Sequence, residues 1–376
     1  MSLRDDPLDW VALDRLRAGF LSGQAAGRGP YWESERDLES YDATYGERIG
    51  WKWDAVLAEL RERGWRPPAG AVLLDWGCGS GVAGRRVAGA FGAGCFVAAR
   101  VWDHSALARR FALDRLRREF PGIGDVGEWT GLAGGGGGGG GDAPLVLVVS
   151  HVINELSADD RSRLIALAAG AAAVLWVEPG THADSRALAA VRDELLAAPP
   201  TATTANGAWR IVAPCTHREG CPLFQQANER HWCHFFAPPP RGVQNDSGWV
   251  RFGQRAGIDL RSLPYSFLVM ERVSGGMAGT EKAETVAAGM ANGIDEQNRD
   301  ATRVLGRPEV FKGYARMLGC DGAGLTELEL QKRTDPAFFK ELERRPGIPL
   351  FRWRHDGRRI AEVERVVRSG EQGGEV

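Results

Sequence analysis

Ala71-Val-Leu-Leu-Asp-Trp-Gly-Cys-Gly-Ser-Gly81 joins a short apolar run to an acid and to glycines at alternate positions, and a helix-patterned segment carrying Arg85 and Arg86 follows. Apolar run, glycine loop and helix in that order open a doubly wound sheet, in which the loop after a parallel strand faces a ligand crevice. The alternation continues along the chain. Gly94 to Val101 reads as a second strand ending near Asp103 and followed by the helix Ala106 to Phe120. Leu145 to Ser150 is an aliphatic strand followed by the helix Ala158 to Ala169, and Ala173 to Val177 is another, followed by the helix Ser185 to Leu196. Near-continuous apolar strands alternating with helices predict a parallel sheet covered on both faces.

Other segments flank this core. Residues 1–66 read as a helical extension: Trp51 to Arg63 places Trp53, Val56, Leu57 and Leu60 on one face, and Pro67 and Pro68 end it. Residues 67–205 form the core, and 206–275 a Cys-rich module with a returning strand at Leu263 to Val273. Residues 276–300, rich in Gly, Ala and charge, read as an insertion, and 301–376 as a small C-terminal domain. In that domain Gly324 to Leu330 and Phe351 to Arg354 are strand-like, ahead of an Arg-rich end. The glycine octamer Gly134 to Gly141 reads as a loop expansion where a third strand is expected.

With 43% hydrophobic and 26% charged residues, the composition excludes a disordered or collagenous chain. No apolar run approaches the roughly 20 residues of a bilayer span, so no membrane partner is expected. Asp5, Asp6, Asp9 and Asp14 are unlike a signal or transit peptide, and a cytoplasmic location follows as the expectation. A net charge of −2 leaves a nucleic-acid partner to local surfaces.

The order Asp75, Gly77, Gly79, Gly81, an acid before alternate glycines, resembles the S-adenosylmethionine loop of class I methyltransferases more than a dinucleotide fingerprint. Asp103, after the second strand, stands where an acid accepts hydrogen bonds from ribose hydroxyls. The resemblance implies glycines close to the methionine moiety, Asp103 on the ribose, and Ser150 at the end of the fourth strand beside the cofactor. The segment Ser150-His-Val-Ile-Asn-Glu-Leu156 would face the transferred methyl, yet it lacks the Asn/Asp-Pro-Pro-aromatic pattern of amino-group enzymes and the cysteine of carbon-5 enzymes. Asn154 and Glu155 are the catalytic candidates, equally explained as a helix cap and a surface acid, and His151 reads as a hydrogen-bonded structural histidine.

Cys215, Cys221 and Cys233 crowd one stretch together with His217, His231 and His234. Six cysteines in 376 residues are too few for a disulfide scaffold, so clustered thiols point to a soft metal. Two readings stay open on spacing: a Cys3His zinc site, or an iron-sulfur cluster whose fourth ligand is distant, the candidate being Cys320, which precedes the turn Asp321-Gly322, opens a strand-like run and is expected to project from a loop.

The succession DWGCGSG, SHVINEL, VEPG with the helix SRALAAVRDELL, then APCTHREGCPL, WCHF and YSFLV is similar to the methyltransferase-like assembly factors of the mitochondrial ribosomal small subunit and their bacterial relatives, over about residues 35–340. That resemblance implies a [4Fe-4S] cluster on Cys215, Cys221, Cys233 and Cys320, with zinc as the alternative, and histidines outside the ligand set. It implies an α/β fold, a doubly wound, mainly parallel sheet of class I methyltransferase type, with a Cys-rich metal-binding module and a small C-terminal domain with β strands. It also implies binding to small-subunit ribosomal RNA during assembly or translation, by a bacterial protein expected to be monomeric off the ribosome.

Arg344, Arg345, Arg352, Arg354, Arg358 and Arg359 with Phe351 and Trp353 interleaved suit phosphate pairing and base stacking, so this end is the expected RNA contact. Two other functions fit the same residues: an active S-adenosylmethionine-dependent rRNA methyltransferase, or a zinc- or redox-sensing RNA-binding protein with a vestigial cofactor loop.

Overall fold

The computed structural model describes residues 3, 8–21, 31–131, 143–198, 208–273, 300–343 and 348–366. Gly134 to Gly141, residues 276–299, Arg344 and Arg345 lie outside the described residues. The chain divides into two compact units, Met1–Ala58 with Arg66–Pro179 and Phe236–Phe267, and Glu59–Trp65 with Gly180–Phe235 and Leu268–Val376. Neither unit is one continuous stretch.

The first unit holds β1 (Ala71–Trp76), β2 (Phe96–Trp102), β3 (Asp125–Glu128), β4 (Leu145–Ser150) and β5 (Ala173–Pro179), each parallel to its neighbour in the order β3-β2-β1-β4-β5. All six residues of β1 are buried, as a central strand with helices on both faces requires. The third strand lies ahead of the glycine octamer, not inside the region it interrupts. Helices α1 (Trp10–Leu21), α2 (Glu35–Tyr41), α3 (Glu47–Glu62), α4 (Val82–Phe91), α5 (Ala106–Glu119), α6 (Ala158–Gly170), α7 (His182–Ala197) and α8 (Ser247–Ala256) make up the rest of the α/β part. Side-chain caps start several of them: Ser34, Ser105, Ser157 and Thr181 each accept a backbone N–H three residues on. Between α2 and α3 the backbone makes a single π-helical turn, Asp42–Gly46.

In the second unit β6 (Trp209–Ala213) pairs antiparallel with β8 (Pro264–Arg272), which also takes the short β7 (Phe235–Phe236). The C-terminal part is a closed barrel of β9 (Thr302–Val310), β10 (Tyr314–Asp321), β11 (Gly324–Gln331), β12 (Leu350–Asp356) and β13 (Arg359–Arg365), with α9 (Pro336–Glu343) between β11 and β12. Ala315, Met317, Leu328, Leu330, Phe338, Phe339, Leu342, Phe351 and Ile360 fill it.

Two expectations need correction here. Cys320 sits within β10, paired with Leu325 on β11 and Arg303 on β9, and not in a loop opening a strand. Phe351 is buried in the barrel core and Trp353 packs against the same cluster, so neither ring is offered to an unpaired base.

Candidate functional site

A cavity of about 420 Å³ opens in the first unit at the carboxyl ends of β1, β2 and β4. One wall is the glycine loop. Gly77, Gly79 and Gly81 all have positive φ, a conformation that side chains rarely adopt. A Cβ on Gly77 would meet Val152 at 2.6 Å, and one on Gly81 would meet Ala112 on α5 at 2.8 Å, so these two permit packing. At Gly79 the nearest atom to such a Cβ is on the Trp32 ring, 3.8 Å away across the cavity edge, so here the bare backbone faces the open space. Gly81 and Asp75 are not on the wall. Asp75 lies beneath it, 1% exposed, with Oδ2 accepting the Gly84 N–H at 2.9 Å and Oδ1 unpartnered. Burial pushes its carboxyl up to about 7.

Asp103 closes the loop. Its Oδ2 accepts the Gly79 N–H at 2.9 Å and its Oδ1 the Ser105 N–H at 2.8 Å, so each oxygen keeps a further lone pair for a ligand hydroxyl. Burial raises this carboxyl as well, against the lowering by those two N–H groups. Beneath Asp103, Trp76 and Trp102 stack with ring centroids 4.4 Å apart, and the Gly77 and Cys78 N–H groups donate to the Trp102 carbonyl.

The segment after β4 forms the facing wall. His151 has φ 57°, a strained value for a side-chain-bearing residue. Its Nε2 is 3.0 Å from Lys52 Nζ and its Nδ1 3.1 Å from Ser150 Oγ. Burial, followed by the charges of Lys52 and Arg48, holds its pKa well below 6.5. The ring is therefore neutral, accepting at Nε2 from the Lys52 ammonium and donating from Nδ1 to Ser150, which also accepts the Trp53 indole N–H at 2.9 Å. Burial and then the Asp103 charge push Glu155 up to about 7, whereas Asn154 is exposed at the mouth. The fully buried Glu178, at the end of β5, aims the segment: its Oε1 accepts the Val152 and Ile153 N–H groups and the Trp176 indole.

The remaining wall was not foreseen. Tyr31, Trp32, Tyr41 and Tyr45 form a ladder of ring contacts 4.8 to 5.9 Å apart along the cavity. Arg15 holds its start, donating to the Tyr31 carbonyl at 2.9 Å and to Asp37. The density of aromatics between residues 31 and 45 was the available signal, yet only the tertiary packing of α2 on α5 turns those rings toward the loop.

The second unit gathers the cysteines. Cys215, Cys221, Cys233 and Cys320 are all free thiols: burial and then Cys215 push Cys221 up to about 11, and Cys233 and Cys320 are raised well above the usual thiol range by burial and then by neighbouring cysteines. Helix α7 supports the loops. Arg192, 2% exposed, donates to the His217 carbonyl at 2.8 Å, Asp193 accepts the Cys221 N–H at 3.0 Å, and Arg186 donates to the Leu223 carbonyl at 2.7 Å. His217 stands beside the cysteines, its Nε2 3.8 Å from Cys320 Sγ. His234 stacks on Trp232, and His231 accepts from Arg230. Among the described residues no three His, Cys, Asp or Glu side chains form a group that would hold a single metal ion.

The expected RNA arginines are largely matched by acids: Arg352 pairs with Glu364 at 3.1 Å, Arg354 with Glu362 and Arg358 with Glu327 at 3.1 Å, while Arg359 is exposed.

With this geometry in place, residues 142–341 match the family described as mitochondrial small ribosomal subunit Rsm22. No curated protein matches the chain. An O-methyltransferase family protein from Burkholderia thailandensis is 17% identical, over 71% of this chain and 70% of that one, with a TM-score of 0.33. A SAM-dependent methyltransferase from Thiobacillus denitrificans, solved with S-adenosyl-L-homocysteine, is 16% identical over 59% of this chain and 90% of that one, with a TM-score of 0.32. Matched over more than half its length, the chain belongs to the Rsm22 family of the mitochondrial small ribosomal subunit.

Proposed function

We propose that the protein is a methyltransferase-like iron-sulfur factor of the ribosomal small subunit, which binds S-adenosylmethionine in the first unit and subunit RNA, and assists assembly or translation. The observation that carries it is the mutual influence of Cys215, Cys221, Cys233 and Cys320, which come from two loops and one strand. Four thiols are the donor set that an iron-sulfur cluster takes. Arg192, buried on α7 and bonded to the His217 carbonyl, puts a positive charge beside these loops, which suits an anionic group. A cluster held there would fix the loops to β10; its chemistry would be electron storage or structural bracing.

The cavity fits the nucleoside cofactor by its residues. Its volume suits a small molecule, Asp103 offers lone pairs for hydroxyls, and the aromatic ladder offers π faces to a sulfonium. S-adenosylmethionine supplies an activated methyl group when bound. Glu155, titrating near 7, would take a proton from an acceptor in the same space.

Calorimetric titration with S-adenosylmethionine tests the cofactor half. One-to-one binding, weakened at least tenfold by Asp103→Asn, is the expected result; absence of saturable binding would mark the loop as vestigial. Transfer of labelled methyl to immature small subunits, abolished by Glu155→Gln, would convert the reading from binding factor to active methyltransferase.

A further inference from the structure

β9, β10 and β11 form an antiparallel meander, α9 leads to the β12–β13 hairpin, β13 runs parallel to β11, and β12 closes on β9. Meander, helix and hairpin closed in that way are the topology of the OB-fold, in which the second and third strands and the loops joining strands one to two and four to five hold oligonucleotides or oligosaccharides. Topology alone assigns no function, so the side chains on that face decide.

Here β10 and β11 are the second and third strands. At one end the Cys-rich turn Pro222–Phe224 packs on β11, and Arg230 pairs with Glu327 at 2.9 Å, so that end is covered. The other end is open. Its tip, Phe311-Lys312-Gly313, is exposed, and Phe311, at 41%, is among the few large apolar side chains left in solvent in the described residues. The Phe311 ring lies flat on Tyr314, with centroids 4.6 Å apart and an 18° interplanar angle. The Arg316 guanidinium sits over both rings, at 5.6 and 5.4 Å. Lys312 at the tip and Lys332 and Arg333 after β11 are exposed, with the Lys332 N–H bonded to the Gly313 carbonyl at 2.9 Å and its Nζ over the Phe339 ring at 5.3 Å. Among the described residues none of these four cations is in an ion pair, in contrast to Arg352, Arg354 and Arg358.

A flat, solvent-facing ring stiffened from behind by a second ring and a guanidinium is a stacking platform for a base, and unmatched cations around it suit a phosphate backbone. A neutral sugar would leave those charges without partners. We propose that the Phe311–Tyr314–Arg316 tip of the barrel is a single-stranded RNA site that stacks an unpaired base, and that it, more than the arginines of β12 and β13, makes the RNA contact. The choice of RNA over DNA rests on the ribosomal reading above; the stacking site itself does not.

The test is fluorescence anisotropy of a labelled single-stranded RNA dodecamer of mixed sequence with the full chain, beside co-sedimentation with small subunits. Binding should be salt-dependent, weakened about tenfold by Phe311→Ala and by Phe311→Leu, retained in Phe311→Trp, and poorly competed by the duplex. Unchanged affinity in Phe311→Ala, or no binding of the single strand by the wild type, overturns the assignment. Loss of subunit binding in Phe311→Ala without oligonucleotide affinity would place a ribosomal protein at the tip and also overturn it. Oligonucleotide binding without subunit binding would instead sink the ribosomal reading and leave the tip standing.

Discussion

At the scale of single residues, two acids near the glycine loop divide the labour that the sequence assigned to the motif as a whole. Asp103 faces the cavity and ties down Gly79, whereas Asp75 is buried beneath the loop and holds the start of α4 through Gly84. A Cβ on Gly84 would come within 2.8 Å of Asp75 Oδ2, so glycine there is demanded by the acid and not by a ligand. The raised carboxyl of Asp75 has a consequence for stability. Its folded pKa, about 7, lies above the ordinary 3.8, so the native state holds a proton that the unfolded chain has lost between these values. That contribution is complete below about pH 4 and is gone once pH has risen through about 7. Asp75→Asn keeps an acceptor for the Gly84 N–H but cannot ionise. Urea unfolding should therefore show the variant gaining on the wild type from pH 5 to pH 8, by on the order of 2 kcal/mol. A difference independent of pH would mean that Asp75 is ionised throughout.

At the scale of elements, the parallel sheet was legible because its signals are local: apolar runs, a glycine loop and capped helices follow each other in order. The barrel was only glimpsed. Its strands alternate buried Ala315, Met317, Leu328 and Leu330 with outward Arg316, Glu327 and Glu329, and Gly306, Pro308 and Gly319 interrupt the pattern. Closure depends on pairings across the domain, which periodicity does not encode. The partnership of Cys320 with the other cysteines was not fixed by spacing: the turn Asp321-Gly322 made it a candidate fourth ligand, and only family resemblance chose the four-cysteine set. What anchors β9 is a buried ionic group: Arg303, 2% exposed, donates to the Glu59 carboxylate and to the Pro214 carbonyl at 3.0 Å, and Arg63 shares Glu59. The two guanidinium groups hold Glu59 below the usual carboxylate range despite its burial. Arg303→Met strands the carboxylate and should cost about 3–5 kcal/mol, whereas the pair Glu59→Gln with Arg303→Met should recover part of that loss. Additive losses in chemical denaturation would show that the two residues are not coupled.

At the scale of the whole molecule, each compact unit carries a chemistry of its own: a cofactor-sized cavity with neutral His151 and a near-neutral Glu155 in the first, four thiols supported by α7 in the second. The match to the Rsm22 family of the mitochondrial small ribosomal subunit spans residues 142–341, which include all four of these cysteines. Among the described residues no helix is long and apolar enough to cross a membrane. The thiol centre is what separates this chain most sharply from an ordinary nucleoside-dependent methyltransferase fold, so the measurement that bears most directly on the account is the iron, acid-labile sulfide and zinc content of protein purified without oxygen, with its absorption spectrum, for wild type, Cys320→Ser and His217→Ala. The account predicts about four iron and four sulfide per chain, lost in Cys320→Ser and retained in His217→Ala. One zinc without iron, lost in His217→Ala and indifferent to Cys320→Ser, would contradict it.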